Sequence, residues 1–85
     1  MKIIFSKSAW SDYQYWAKND ANIIKKIHLL LKDIQNHPYM GIGKPEALKY
    51  ELQNFWSRRI NKEHRLVYQI NNEQIQVISC RFHYN

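Results

Sequence analysis

Asn54-Phe55-Trp56-Ser57-Arg58-Arg59-Ile60-Asn61-Lys62-Glu63-His64-Arg65-Leu66-Val67-Tyr68 is the stretch that decides how this chain folds. Aromatic and branched residues recur on both sides of a polar turn at Asn61, Lys62 and Glu63, which predicts two short strands joined as a hairpin. Three arginines lie in the same stretch. The guanidinium groups of Arg58, Arg59 and Arg65 are planar and suit phosphate oxygens, and Trp56 and Tyr68 set flat apolar surface beside them. Cations next to aromatic rings are what a single-stranded nucleic-acid site is built from. Arginines on the solvent face of a hairpin are also commonplace, so the pattern alone leaves a merely solvated face open.

Beyond this hairpin toward the C-terminus, a further strand is predicted over 74–81, paired with 64–71 through a polar loop at Asn71-Asn72-Glu73. On the N-terminal side, 48–52 reads as a strand, and residues 39–45, with Gly41 and Gly43, read as a loop. Pro38 ends a helix that starts after Asn19-Asp20. Its apolar face is Ile23, Ile24, Ile27, Leu30, Leu31 and Ile34. A first helix, capped by Ser8, carries Ala9, Trp10, Tyr13, Trp16 and Ala17 as its apolar stripe, with Gln14 and Tyr15 off it and able to face a partner. Lys2-Ile3-Ile4-Phe5 reads as a buried strand. The order β-α-α-β-β-β-β predicts an α+β fold, with both helices on one face of a mostly antiparallel sheet and the other face free for a site.

Composition narrows the partner. The 85 residues predict one domain, spanning 1–85, and 45% apolar residues argue for a folded globule. A net charge of +6 favours an anionic partner: nucleic acid, an acidic protein or a membrane surface. No apolar run approaches the ~20 residues of a membrane span and no signal-peptide pattern is present, so a cytoplasmic protein is expected. The single cysteine, Cys80, excludes an internal disulfide, and its apolar setting reads as a buried thiol more readily than a nucleophile. His28, His37 and His64 lack metal-site spacing, His64 can border a site beside Arg65, and no phosphate-binding glycine loop occurs. No metal and no cofactor are expected.

RNA can be cut without a metal because its own 2′-hydroxyl is a nucleophile. The enzyme then needs a base, cations for the developing phosphorane and an acid for the departing 5′-oxygen. Glu46 can be the base, Arg65 the stabilising cation and His83, beside Tyr84, the acid. Lys44 and Lys49 flank Glu46 and can hold substrate phosphates. Each residue also has a plainer reading: Glu46 as a solvated loop carboxylate, Arg65 in a surface pair with Glu63 or Glu51, His83 in a frayed terminus. One geometric conflict is visible. A two-residue turn at Asn72-Glu73 pairs Asn71 with Gln74 and sets Arg65 opposite Cys80, which puts His83 on the wrong face. Either the chain bends after Arg81, or the loop has three residues and the register moves by one. The expectation is the bend, with Phe82 packed inward and His83 and Tyr84 leaving the ladder.

Four blocks carry a resemblance. Gly43-Lys44-Pro45-Glu46-x-Leu48-Lys49, Phe55-Trp56-Ser57-Arg58-Arg59-Ile60, Glu63-His64-Arg65-Leu66-Val67-Tyr68 and Cys80-Arg81-Phe82-His83-Tyr84 resemble the YoeB toxins of the RelE superfamily. The likeness runs from Met1 to Tyr84. It implies the small microbial-ribonuclease-like fold and catalysis by Glu46, Arg65 and His83. Arg59 and Lys49 would make phosphate or transition-state contacts, with Arg58 a substrate-binding candidate from the hairpin itself, and Tyr84 would stack on substrate or assist. The implied activity is an endoribonuclease that cuts messenger RNA in the ribosomal A site. The implied partners are the ribosome and a YefM-like acidic antitoxin that blocks the site and with it represses the operon. A homodimer through apolar or aromatic helix surface is compatible with this pattern. A basic module that occupies the ribosome without cutting would use the same phosphate-binding residues.

Overall fold

A computed structural model describes residues 1–82 of the chain. The elements run β1 (Lys2–Phe5), α1 (Lys7–Asn19), α2 (Ala21–Asn36), β2 (Glu46–Ala47), a 3-10 turn at Tyr50–Leu52, β3 (Trp56–Arg59), β4 (Arg65–Asn71) and β5 (Gln74–Ser79). They form one five-stranded sheet in the order β1-β5-β4-β3-β2, with β1 parallel to β5 and every other pair antiparallel. This is the expected β-α-α-β-β-β-β order, with the helices packed against the sheet.

Local chemistry sets the helix ends. The Ser6 hydroxyl accepts the Ala9 N–H at 3.0 Å, so Ser6 is the cap of α1 and the expected cap at Ser8 lies inside the helix. Asp20 closes one helix and opens the next: its own N–H donates to the Trp16 carbonyl, and its carboxylate accepts from Asn22 and Ile23. Ile23, Ile27, Leu30, Leu31 and Ile34 of α2 are buried against Leu66, Tyr68, Ile75 and Val77 of the sheet. Each such side chain contributes about 1.5–3 kcal/mol over leaving it in water. The stripe of α1 is narrower than its spacing predicts. Ala9 and Trp16 are buried, but Trp10 is 47% exposed, stacked on Tyr13 at 5.2 Å with Phe5 edge-on to both rings.

Expected to be buried, β1 is instead an edge strand with Lys2, Ile3 and Ile4 exposed, and the sheet departs from expectation in three further places. Residues 48–52 do not form a strand: β2 is two residues long, because Tyr50 takes φ 58° and the chain turns into the 3-10 segment. Asn72 and Glu73 both sit at positive φ, the signature of a tight I′ turn, and Asn71 pairs with Gln74 as expected. The register then shifts. Tyr68 faces Val77 but Val67 faces Ser79, so Ile78 is an extra residue in a bulge. The register thus moves by one within β5, and the chain also bends at Arg81 and Phe82 after the strand ends at Ser79. The Arg65 N–H donates to the Phe82 carbonyl at 3.0 Å. Phe82, with φ 68°, is 61% exposed and does not pack inward. His83 and Tyr84 lie outside the described residues.

Cys80 is fully buried, its thiol directed at the Ala9 carbonyl, and burial first, then the Asp12 carboxylate, push its pKa up to about 12. It is a packed thiol. Among the described residues no helix is long and apolar enough to cross a membrane.

Candidate active site

Strand alternation divides the arginines. On β3, Arg58 points toward α2, so its neighbours Ser57 and Arg59 point to the opposite face. Directly paired residues share a face: Glu46 is opposite Ser57, and Arg65 is opposite Arg59. Glu46, Ser57, Arg59 and Arg65 therefore stand together, and with Lys44 and Pro45 they line a cavity of about 300 Å³. A larger hollow of about 860 Å³ lies elsewhere, lined by Met1, Lys2, Ile70, Asn72, Glu73 and Gln74. One lysine and one glutamate offer little to an anion there. The smaller cavity gathers three cations around one carboxylate, and its chemistry singles it out.

The turn between β3 and β4 positions Arg65. The Asn61 side-chain oxygen accepts the N–H groups of Glu63 and His64 at 2.9 and 2.8 Å, which fixes the turn locally. Its carbonyls then face the guanidinium: Arg65 Nη1 donates to Asn61 at 2.9 Å, His64 at 3.2 Å and Lys62 at 3.4 Å. Only 9% of Arg65 is exposed, and the rest of its fork makes no hydrogen bond among the described residues. Burial and then Arg59 press the pKa of Arg65 down while Glu46 supports its charge, so all three groups share one field. Arg65 nonetheless remains a cation.

Glu46 is exposed and makes no ion pair among the described residues. Lys44 and Arg59 are exposed at the rim, and Ser57, 5% exposed, forms part of the floor. Lys49 is exposed two residues beyond β2 and does not line the cavity. Arg58 corrects the sequence reading. It is fully buried, bound to Asp33, to Tyr68 and to the carbonyls of His37, Met40 and Ile42, so it is not available to a substrate phosphate. The guanidinium bond first, opposed by burial, holds the Asp33 carboxyl below its usual range.

His64 has a role that its sequence context shows only as proximity to Arg65. Its Nδ1 accepts the Phe82 N–H at 2.8 Å, while the Phe82 carbonyl accepts from Arg65. The residue immediately before His83 is thus held from both sides. Trp16 packs edge-on against the His64 ring at 4.8 Å, and Arg81 lies 3.5 Å over the Tyr15 ring, which covers one face of that tyrosine. Ser57 lies in one of the four blocks quoted above, but nothing in its local context marked it for a role. Its pairing with Glu46 was legible only after β2 was known to be two residues long.

Residues 5–84 match the family model described as the YoeB-like toxin of bacterial type II toxin–antitoxin systems. The chain belongs to that family. It is 50% identical over 84 residues to Toxin YoeB of Escherichia coli strain K12, which spans 99% of this chain and 100% of the relative. Among solved structures, a YoeB/ParE toxin from Agrobacterium tumefaciens superposes with a TM-score of 0.96 at 43% identity, covering 99% of this chain and 100% of the other. The YoeB dimer from Staphylococcus aureus gives 0.93 at 48% identity, covering 99% and 98%. A heterotetrameric complex of YoeB–YefM toxin–antitoxin from the same organism gives 0.92 at 48%, with the same coverage. As a member of the YoeB-like toxins, the chain is a toxin of a type II toxin–antitoxin system.

Proposed function

We propose that this toxin is a metal-independent endoribonuclease that cuts messenger RNA in the ribosomal A site and so stops translation. The convergence of Glu46, Arg59 and Arg65 on one cavity is the observation that carries the reading. Glu46 takes the proton from the 2′-hydroxyl, whose oxygen then attacks the adjacent phosphorus. Arg65 and Arg59 stabilise the negative charge of the phosphorane. His83 gives a proton to the departing 5′-oxygen, and Tyr84 stacks on the substrate. The P–O5′ bond breaks as the P–O2′ bond forms, leaving a 2′,3′-cyclic phosphate and a 5′-hydroxyl. Lys44 and Lys49 hold flanking phosphates.

The magnitudes suffice. A placed acid or base contributes about 10²–10⁴ in rate, and a preorganised charge about 3–4 kcal/mol. A YefM-like acidic antitoxin fits the same basic face, folding on it and blocking the cavity, and the S. aureus complex supports that partner. The complex would repress its own operon. The S. aureus dimer likewise supports a homodimer, and the site of action is the cytoplasm.

Glu46→Gln, Arg65→Ala and His83→Gln, tested singly on translating ribosomes with RNA ends mapped, decide the reading. The expected result is loss of cleavage by about 10²–10⁴ in each, with cyclic phosphate ends in the wild type. Unaltered cleavage in all three variants would overturn the assignment. Ribosome binding by a wild type that never cuts would favour a non-catalytic blocking module.

A further inference from the structure

Arg58 spends all five of its N–H groups on one segment and its supports. Nε donates to the Tyr68 hydroxyl at 3.2 Å, Nη1 to Asp33 and to the Ile42 carbonyl at 3.2 Å, and Nη2 to the carbonyls of His37 and of Met40, the latter at 2.9 Å. The Tyr68 hydroxyl in turn donates to the Pro38 carbonyl at 2.6 Å, and Asp33 accepts the Ile42 N–H at 3.1 Å. Between α2 and β2 the backbone has no regular partner, so these contacts hold carbonyls that would otherwise be left without one.

The two loop glycines report how closely the segment is seated. A Cβ on Gly41 would meet the Asp33 carboxylate at 2.0 Å, and one on Gly43 would meet Leu30 at 2.8 Å and Arg58 Cβ at 3.2 Å. The Gly43 carbonyl then accepts the Arg59 N–H at 2.6 Å. Lys44, Pro45 and Glu46 follow directly. One strand thus sends Arg59 into the cavity and Arg58 beneath the loop that brings the carboxylate to it.

We propose that Arg58 is a positioning residue for Glu46: its buried fork clamps residues 37–43 to α2 and β4, and this fixes where the 44–46 segment places the carboxylate over Ser57, Arg59 and Arg65. The inference rests on the nuclease reading above. A lysine keeps the charge but has one point of attachment where the fork has five donors, so it cannot hold three carbonyls, a carboxylate and a phenol together. Catalytic groups must be held to about half an ångström, and a displacement near 1 Å costs about 10²-fold.

The test compares wild type with Arg58→Lys on translating ribosomes under single-turnover conditions, alongside binding to ribosomes whose A-site codon carries 2′-O-methyl sugars. The expected result is a cleavage rate lowered about 10–100-fold with affinity changed less than about threefold. Hydrogen exchange of the Arg59 amide, bonded to Gly43, should quicken while the β4–β5 amides keep their protection. A folded Arg58→Lys protein cutting within about twofold of wild type overturns the proposal. So does a rate loss matched by equal loss of protection across the whole sheet, which marks a purely structural residue. If Arg58→Lys does not fold, Asp33→Asn weakens the same clamp from its half-buried side, and a wild-type rate there is equally contrary. Glu46→Gln is the control. If it cuts like wild type, the assignment of Glu46 as the base fails, and the Arg59 amide alone judges whether Arg58 fixes the loop.

Discussion

Glu46 and Arg65 are placed in opposite ways, and their chemistry follows. Glu46 is exposed and unpaired among the described residues, which leaves it open to the base's role proposed above. Arg65 is nearly enclosed, with one arm of its fork committed to the carbonyls of the turn. Replacing Arg65 with lysine keeps a charge but cannot serve turn and phosphate together, so cleavage should fall about 10²–10³-fold, read by single-turnover kinetics. Cys80 makes a separate prediction. A thiol held neutral up to about pH 12 should resist iodoacetamide in the native protein at pH 8 and react once the chain is unfolded in denaturant. That Glu46, Arg59 and Arg65 would share one cavity was legible only through the resemblance, since residue context alone left Glu46 as a solvated loop carboxylate. The role of Arg58 was not legible: it depends on facing α2, and the sequence offers Arg58 and Arg59 as equals.

Among the elements, helices were the most legible and β2 the least. Periodic isoleucines and leucines mark α2 whatever surrounds them, whereas the end of β2 depends on one residue, Tyr50, adopting a left-handed conformation. The bulge at Ile78 has no sequence mark at all, yet it decides which residue the Arg65 amide meets. Asp20 caps α2 with two bonds, so Asp20→Ala should lower stability by about 0.5–2 kcal/mol in denaturant melts. The clamp under the 37–45 loop predicts a pH dependence. The bond to Arg58 lowers the Asp33 pKa in the folded state, so its contribution is fully present above the unfolded value of about 3.9 and is lost as pH falls through the lower folded value. Wild type and Asp33→Asn should therefore differ in stability near neutrality and converge in acid. A constant difference from pH 6 to pH 2 would contradict the ion pair's part in holding the loop.

At the scale of the molecule, the fold brings to one face what the chain keeps apart. The segment after α2 supplies Lys44 and Glu46, and the hairpin supplies Ser57, Arg59 and Arg65. The segment beyond β5 is tied to that hairpin at Phe82 by His64 and Arg65. The chain's net charge of +6 predicts that ribosome binding weakens steeply between about 50 and 200 mM salt, measurable by sedimentation, with a log–log slope set by the number of phosphates contacted. The most direct measurement is a double-mutant cycle on cleavage of ribosome-bound messenger RNA, using Glu46→Gln, Arg65→Ala and the two combined. If both groups act on one phosphodiester, each single change disables the site, and the double variant is slower than the worse single by less than about tenfold. Wild-type cleavage by either single variant would contradict a shared site.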